Sequence, residues 1–131
     1  MFKKGKAKHI NNFELGQHGR YRTNVWDYPG ISSVGHDRDD QLAMHPTVKP
    51  VALIADAIRD CSKRGGVVLD AFGGSGTTLI AAEETGRKAR LVEIDPRYAD
   101  VTIRRWQTMT GKGATLEANG LTFDELEGHR D

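Results

Sequence analysis

The chain has 131 residues, 37% of them hydrophobic, and a formal net charge of +1 at pH 7, enough for one small domain. Its single cysteine, Cys61, excludes a disulfide framework and points to a reduced, cytoplasmic setting, and its five histidines show no metal-ligand spacing. The first eight residues are basic rather than apolar, so they lack a signal peptide's hydrophobic region, and no run approaches membrane-spanning length.

Three parts follow one another without an internal repeat. Residues 1–44 are polar and irregular, with glycines at 5, 16, 19, 30 and 35 and a charged stretch, Asp37-Arg38-Asp39-Asp40. Lysines 3, 4, 6 and 8 with Arg20 and Arg22, interleaved with Phe13, Tyr21 and Trp26, suit contacts with nucleic-acid phosphates and bases. The same pattern suits a solvated tail whose aromatics pack on the domain.

Residues 45–110 form an α/β unit. In His45-Pro46-Thr47-Val48-Lys49-Pro50 two prolines fix an extended backbone and disfavour helix before each of them, holding His45, Thr47 and Lys49 in a stiff array. Val51, Ile54, Ala57, Ile58 and Cys61 recur at three and four, which predicts a helix over about 51–62, closed by Lys63-Arg64-Gly65-Gly66. A strand over 67–71, a helix over 76–85 ended by Gly86 and a strand over 89–94 come next. Both strands are nearly continuous apolar runs, as expected of strands covered on both faces. Asp95-Pro96 reads as an N-cap with proline at the first helical position, opening a helix over 96–109 in which Tyr98 and Trp106 are expected to be core. In the tail, residues 111–131, a third strand is expected near 114–117, Asn119-Gly120 signals a tight turn, and Thr122-Phe123-Asp124-Glu125 reads as a capping box.

The chemistry concentrates where the first strand meets its helix. Val67-Val68-Leu69-Asp70-Ala71-Phe72-Gly73-Gly74-Ser75-Gly76-Thr77-Thr78 delivers a buried strand to a glycine turn, where no Cβ keeps a ligand from the backbone. The following helix aims its free N–H groups and positive dipole end at that turn. Glu93 stands 20 positions after Gly73, near the tip of the next strand, where an acid can accept both hydroxyls of a ribose. A phosphate-cradling loop needs Gly-Lys-Ser/Thr, but Gly76 is followed by Thr77; the dinucleotide pattern needs a third glycine where Leu79 stands. S-adenosylmethionine, with an adenosine and no phosphates, fits what remains; an ordinary tight turn in an α/β protein is the bland alternative.

The two blocks together resemble the β-class of DNA amino-methyltransferases, which modify the N6 of adenine or the N4 of cytosine. In that family a His-Pro-Thr-x-Lys-Pro segment and its helix precede a Phe-x-Gly-x-Gly turn, and a strand ending in Glu or Asp follows. Residues 45–50, 72–76 and 91–95 stand here in that order, with Ala71 in place of the usual proline. Gly19-Arg20-Tyr21-Arg22-Thr23-Asn24-Val25-Trp26 is similar to the stretch leading into this block in phage-like and ParB-fused members, so the likeness covers roughly residues 9–110. It implies an incomplete Rossmann-like methyltransferase fold and a set of cofactor-binding residues. Ala71, Phe72, Gly73, Gly74, Ser75, Gly76, Thr77 and Thr78 would surround the methionine and sulfonium of S-adenosylmethionine. Asp70 would sit near its amino group and Glu93 at its ribose; His45, Thr47 and Lys49 would come from the other side, with Thr47 and Lys49 toward its carboxylate.

One family element is missing. The catalytic tetrapeptide Asp/Asn/Ser-Pro-Pro-Tyr/Phe, whose aromatic ring stacks on the flipped base, has no counterpart, because the four prolines stand apart at 29, 46, 50 and 96. The resemblance therefore implies the cofactor-binding part of a DNA methyltransferase, with DNA as the partner of the complete enzyme and no catalytic residue of its own. A non-catalytic module that binds cofactor or DNA and complements another chain is the alternative. Strand edges without neighbours lead to an expectation of homo-oligomers.

Overall fold

Pro50 fixes where the first helix begins. Its extended backbone (φ −58°, ψ 131°) occupies the N-cap position of α1 (Val51–Cys61), and the ring needs no hydrogen-bond acceptor there. The computed structural model describes residues 6, 8–23, 25–28 and 49–128, so His45 and Thr47 lie outside the described residues. After α1 come β1 (Val67–Asp70), α2 (Thr77–Thr85), β2 (Lys88–Leu91), α3 (Pro96–Thr110) and α4 (Phe123–Glu127). The two strands pair in parallel, Val67 beside Lys88 through Asp70 beside Leu91. Parallel neighbours need a crossover, and α2 supplies it.

Sequence and structure agree on how these elements end. Gly86 adopts φ 70° and returns its N–H to the carbonyls of Ala82 and Glu83, closing α2. The carboxylate of Asp95 accepts the N–H of Arg97 at 2.9 Å, and Pro96 opens α3. Thr122 and Glu125 form the reciprocal capping box of α4.

The core lies on one side of the sheet. Ala55 and Ile58 of α1 meet Ala81 and Ala82 of α2, with Val68 and Ala89 of the strands packed beneath. Ala81 and Ala82 are fully buried, so two small side chains form the centre of the contact. Trp106 of α3 donates its indole N–H to Glu83 of α2 at 3.4 Å. The opposite face of the sheet is open: Val67, Leu69, Val92 and Ile94 are 63, 73, 58 and 97% exposed. Apolar runs on both strands imply two covering layers, whereas the described helices supply one. Periodicity reports which residues are apolar, not how many layers a given stretch of chain provides.

The remaining differences are local. Strand β2 ends at Leu91 rather than 94, although the N–H of Val92 still reaches Asp70 O at 2.9 Å. Beyond it, the Glu93 side chain takes over from a neighbouring strand in holding the backbone. The strand expected near 114–117 is a single antiparallel bridge from Thr115 to Thr122, because the turn ending with Gly120 N–H on Leu116 O (2.7 Å) folds the chain onto its own return limb. That limb seats the buried Phe123 beneath the Arg104 guanidinium, 5.5 Å from the ring centre.

Residues 8–23 and 25–28 run along α1 as a strap. Asn12 donates to the carbonyls of Arg59 (2.7 Å) and Ser62 (2.8 Å), satisfying the helix's last carbonyls. The Arg22 guanidinium lies 5.0 Å from the ring centres of both Phe13 and Trp26 and 2.7 Å from the carboxylate of Asp56 on α1. Tyr28 donates to the same carboxylate. Phe13, Arg22 and Trp26 thus pack on one another and Arg22 ties them to α1, while Arg22 and Trp26 keep exposed surface. Among the described residues no helix is long and apolar enough to cross a membrane, and no cluster of ligating side chains could hold a metal.

The Arg22 hydrogen bond holds the Asp56 carboxyl below the ordinary aspartate range, with Tyr28 assisting and burial opposing. Asp56→Ala is therefore expected to loosen the strap without unfolding the helices. Limited trypsin digestion at neutral pH should cut after Arg20 and Arg22 at least about threefold faster than in the wild type. Unchanged cleavage would show that Asp56 does not hold the strap.

Candidate functional site

Strand β1 delivers Asp70 to the mouth of the glycine turn, and that carboxylate spans it. One oxygen accepts the N–H of Phe72 at 3.0 Å and the other the hydroxyl of Thr78 at 2.6 Å. The turn closes when the N–H of Gly76 reaches Gly73 O at 2.9 Å. Gly76 has φ 79°, and a Cβ there would stand 2.6 Å from the Thr102 methyl carbon. Glycine is thus required at 76 by conformation and by space. A Cβ at Gly73 would approach Leu91 Cδ2 at 3.0 Å, which keeps β2 close behind the turn.

Glu93 joins the turn to the end of β2. Its Oε2 accepts the N–H of Gly74 at 2.6 Å and its Oε1 the N–H of Asp95 at 3.0 Å. The Asp95 N–H, followed by that of Gly74, holds the Glu93 carboxyl below its ordinary range, against an opposing contribution from burial. Each carboxylate oxygen has a second lone pair. Glu93 can therefore hold the turn and still accept a hydroxyl from a ligand.

These groups enclose a cleft of about 450 Å³, within the size range of small-ligand sites. Lys49 and Ile54 contribute to it from the start of α1, Asp70 and Glu93 from the strand ends, and Phe72, Gly73, Gly74, Ser75, Thr77 and Thr78 from the turn and the start of α2. Phe72 is 88% exposed. Two expected residues are not on the lining: Ala71 is exposed beside the turn, and Gly76 is buried against Thr102. The Thr77 hydroxyl donates to Lys49 O at 3.4 Å, so α1 and α2 are tied together at the cleft. A positive helix end and Lys49 on one hand, and two carboxylates on the other, suit a ligand bearing both acceptors and donors.

Three residues of the site carry no local signal of it in the sequence. Ile54 lines the cleft but reads as an ordinary core position of α1. Thr102 and Arg105 hold the turn from behind: the Thr102 hydroxyl donates to Gly74 O at 3.0 Å and Arg105 Nη1 to Ser75 O at 3.2 Å. Both belong to α3, and only the folded chain brings them to the turn.

The family described as DNA methylase, of the N6/N4 type, matches this chain over residues 2–104. The type II methyltransferase M.ScaI of Streptomyces caespitosus is 37% identical over 87 residues, 66% of this chain and 29% of that protein. The DNA adenine methyltransferase YhdJ of Escherichia coli K12 is 39% identical over 88 residues, 67% of this chain and 29% of that one. The crystal structure of M1.HpyAVI in complex with SAM (S-adenosylmethionine) superposes with a TM-score of 0.54 and 27% identity over 79% of this chain and 46% of that one. The chain thus spans under a third of the length of those two relatives, and its architecture is an incomplete Rossmann-like α/β fold. The cofactor named for the superposed structure is the one expected from the glycine turn and its missing lysine. By sequence match and by fold, the chain belongs to the N6/N4 DNA methylase family.

Proposed function

We propose that this chain is the S-adenosylmethionine-binding portion of a methyltransferase acting on the N6 of adenine or the N4 of cytosine in DNA. One observation carries the reading: the glycine turn, Lys49, Asp70 and Glu93 converge on a single cleft. The donor set fits the cofactor. The carboxylate of Glu93 would take the ribose hydroxyls and that of Asp70 the amino group. Lys49 and Thr47 would take the carboxylate beside the start of α2, with His45 ahead of them in the family motif. When bound, the cofactor supplies a methyl group activated by its sulfonium. The chain's own residues bind and orient it; the target base and its catalytic tetrapeptide belong to a complementary part, on a longer polypeptide or on a second chain. A soluble, cytoplasmic setting is part of the same reading.

Calorimetric titration should show binding of S-adenosylmethionine and S-adenosylhomocysteine but not NADP, whose 2′-phosphate the Glu93 carboxylate repels. Glu93→Ala should weaken binding at least about tenfold, because charge-assisted hydrogen bonds are lost. The sign of the pH dependence follows from the lowered value of Glu93. The carboxylate stays ionised down through the ordinary glutamate range, so affinity should be level from neutral pH down to that range and fall only below it. Equal affinity of wild type and Glu93→Ala would remove Glu93 from the site.

The 131 residues contain no Pro-Pro pair, so the purified chain with labelled cofactor and duplex DNA is expected to incorporate no methyl group. Incorporation that Gly74→Asp abolishes would contradict this division of labour.

The open sheet face favours assembly. Val67 and Leu69 of β1, and Val92 and Ile94 just beyond β2, are large apolar side chains left exposed, and such surfaces mark interaction sites. Light scattering at tens of micromolar should show a dimer or larger species. A well-folded monomer that persists at that concentration would count against self-assembly of this chain.

A further inference from the structure

The cleft described above has a back as well as a lining. Thr102 and Arg105 stand three positions apart on α3 and so share one face of it. The Thr102 hydroxyl donates to Gly74 O, while Arg105 Nη1 reaches Ser75 O at 3.2 Å and the Thr77 hydroxyl oxygen at 3.4 Å. Three consecutive turn positions, 74, 75 and 76, are thereby fixed from one helix, the third by the close approach of the Thr102 side chain to Gly76.

The direction of these hydrogen bonds carries the argument further. A guanidinium has donors only, so where Arg105 meets the Thr77 hydroxyl the threonine oxygen must accept. The threonine proton is then free to point elsewhere, and the structure sends it to Lys49 O. A relay runs from Arg105 through Thr77 to Lys49, crossing from behind the turn to the segment that carries the cleft's lysine. Arg105 is half-buried, and burial lowers its basicity, with the charge of Glu84 opposing. Its hydrogen bonds go to a carbonyl and a hydroxyl, so its place is set by the turn rather than by an ion pair.

We propose that Arg105 is a positioning residue of the cofactor cleft, which with Thr102 fixes the backbone of the glycine turn and, through the Thr77 hydroxyl, fixes Lys49. The role rests on the cofactor reading for its consequence but not for its geometry. Arg105 touches the turn at Ser75 and Thr77 and reaches Lys49 only through the Thr77 hydroxyl, on the side where the amino-acid end would lie, whereas Glu93 would serve the ribose. Its loss should therefore penalise the amino-acid end of the ligand and spare the nucleoside end.

The test compares Arg105→Met with the wild type, with Thr77→Val as a second variant that retains the side-chain shape and removes the relay hydroxyl. In the ligand-free proteins, amide hydrogen exchange should accelerate about tenfold or more at Gly76 in Arg105→Met, and less than about twofold at Gly74, whose N–H Glu93 holds, and at Ile58 and Ala82 of the core. Thr77→Val should shift the Lys49 amide resonance while leaving Gly74 protected. In titrations, Arg105→Met should lose about tenfold in affinity for S-adenosylmethionine and less than about twofold for 5′-methylthioadenosine, which lacks the amino-acid end. Unchanged exchange at the turn, acceleration spread equally over the core, or equal losses for the two ligands would overturn the proposal. If the wild type binds neither ligand, the cofactor reading fails, and the exchange measurements alone decide whether Arg105 holds the turn.

Discussion

Two backbone N–H groups, from Gly74 and Asp95, meet on the carboxylate of Glu93, and the geometry of the cleft depends on that meeting. The turn after β1 and the end of β2 have no further strand to hold them among the described residues, since the sheet consists of two strands. An ionised side chain does the work that a ladder of backbone bonds would do in a wider sheet. Charge-assisted bonds to a carboxylate are among the stronger hydrogen bonds in proteins, and the lowered pKa of Glu93 is the electrostatic counterpart of the same fact. The group suited by charge to receive a ribose is thus also the one that shapes its own site.

Around that point the molecule divides into a front and a back. In front lie Lys49, Asp70 and the accessible edge of the turn; behind lie Thr102 and Arg105 of α3, with Gly76 reduced to a hydrogen to admit them. The core that supports both is small, centred on alanines of α2 against Ala55 and Ile58 of α1. Small domains bury proportionally little surface, and here a whole sheet face is left open. The chain spans under a third of the length of its relatives M.ScaI and YhdJ; the side of the fold that carries the glycine turn is built, and no layer covers the other face among the described residues.

Most of the fold was legible because its signals are local. Pro50, Gly86, Asp95-Pro96 and the Thr122–Glu125 pair each act through their own backbone, and each sits where its chemistry requires. The turn and its acid were legible for the same reason: glycine at close backbone approach and a carboxylate on the neighbouring strand are consequences of residue type and spacing. What could not be read depends on distant segments meeting. Nothing near Thr102 or Arg105 announces that α3 returns to the turn. Nothing in Val67, Leu69, Val92 or Ile94 says that only one face will be covered. Arg22 with Phe13 and Trp26 suits phosphates or packing by residue type, with packing the favoured reading, and the partner Arg22 finds in the fold, Asp56, stands 34 positions away in the sequence.

The central claim, that this cleft is the cofactor site, is tested most directly by mapping amide chemical-shift changes as S-adenosylmethionine is added to the isotope-labelled chain. The account expects saturable changes concentrated at Lys49, at Gly73 to Thr78 and at Glu93, with the strap around Arg22 and the α4 region unaffected. Saturable changes centred instead on the strap residues Arg22, Thr23 and Val25 to Tyr28, which line a shallow cleft of their own, with the glycine turn silent, would contradict it.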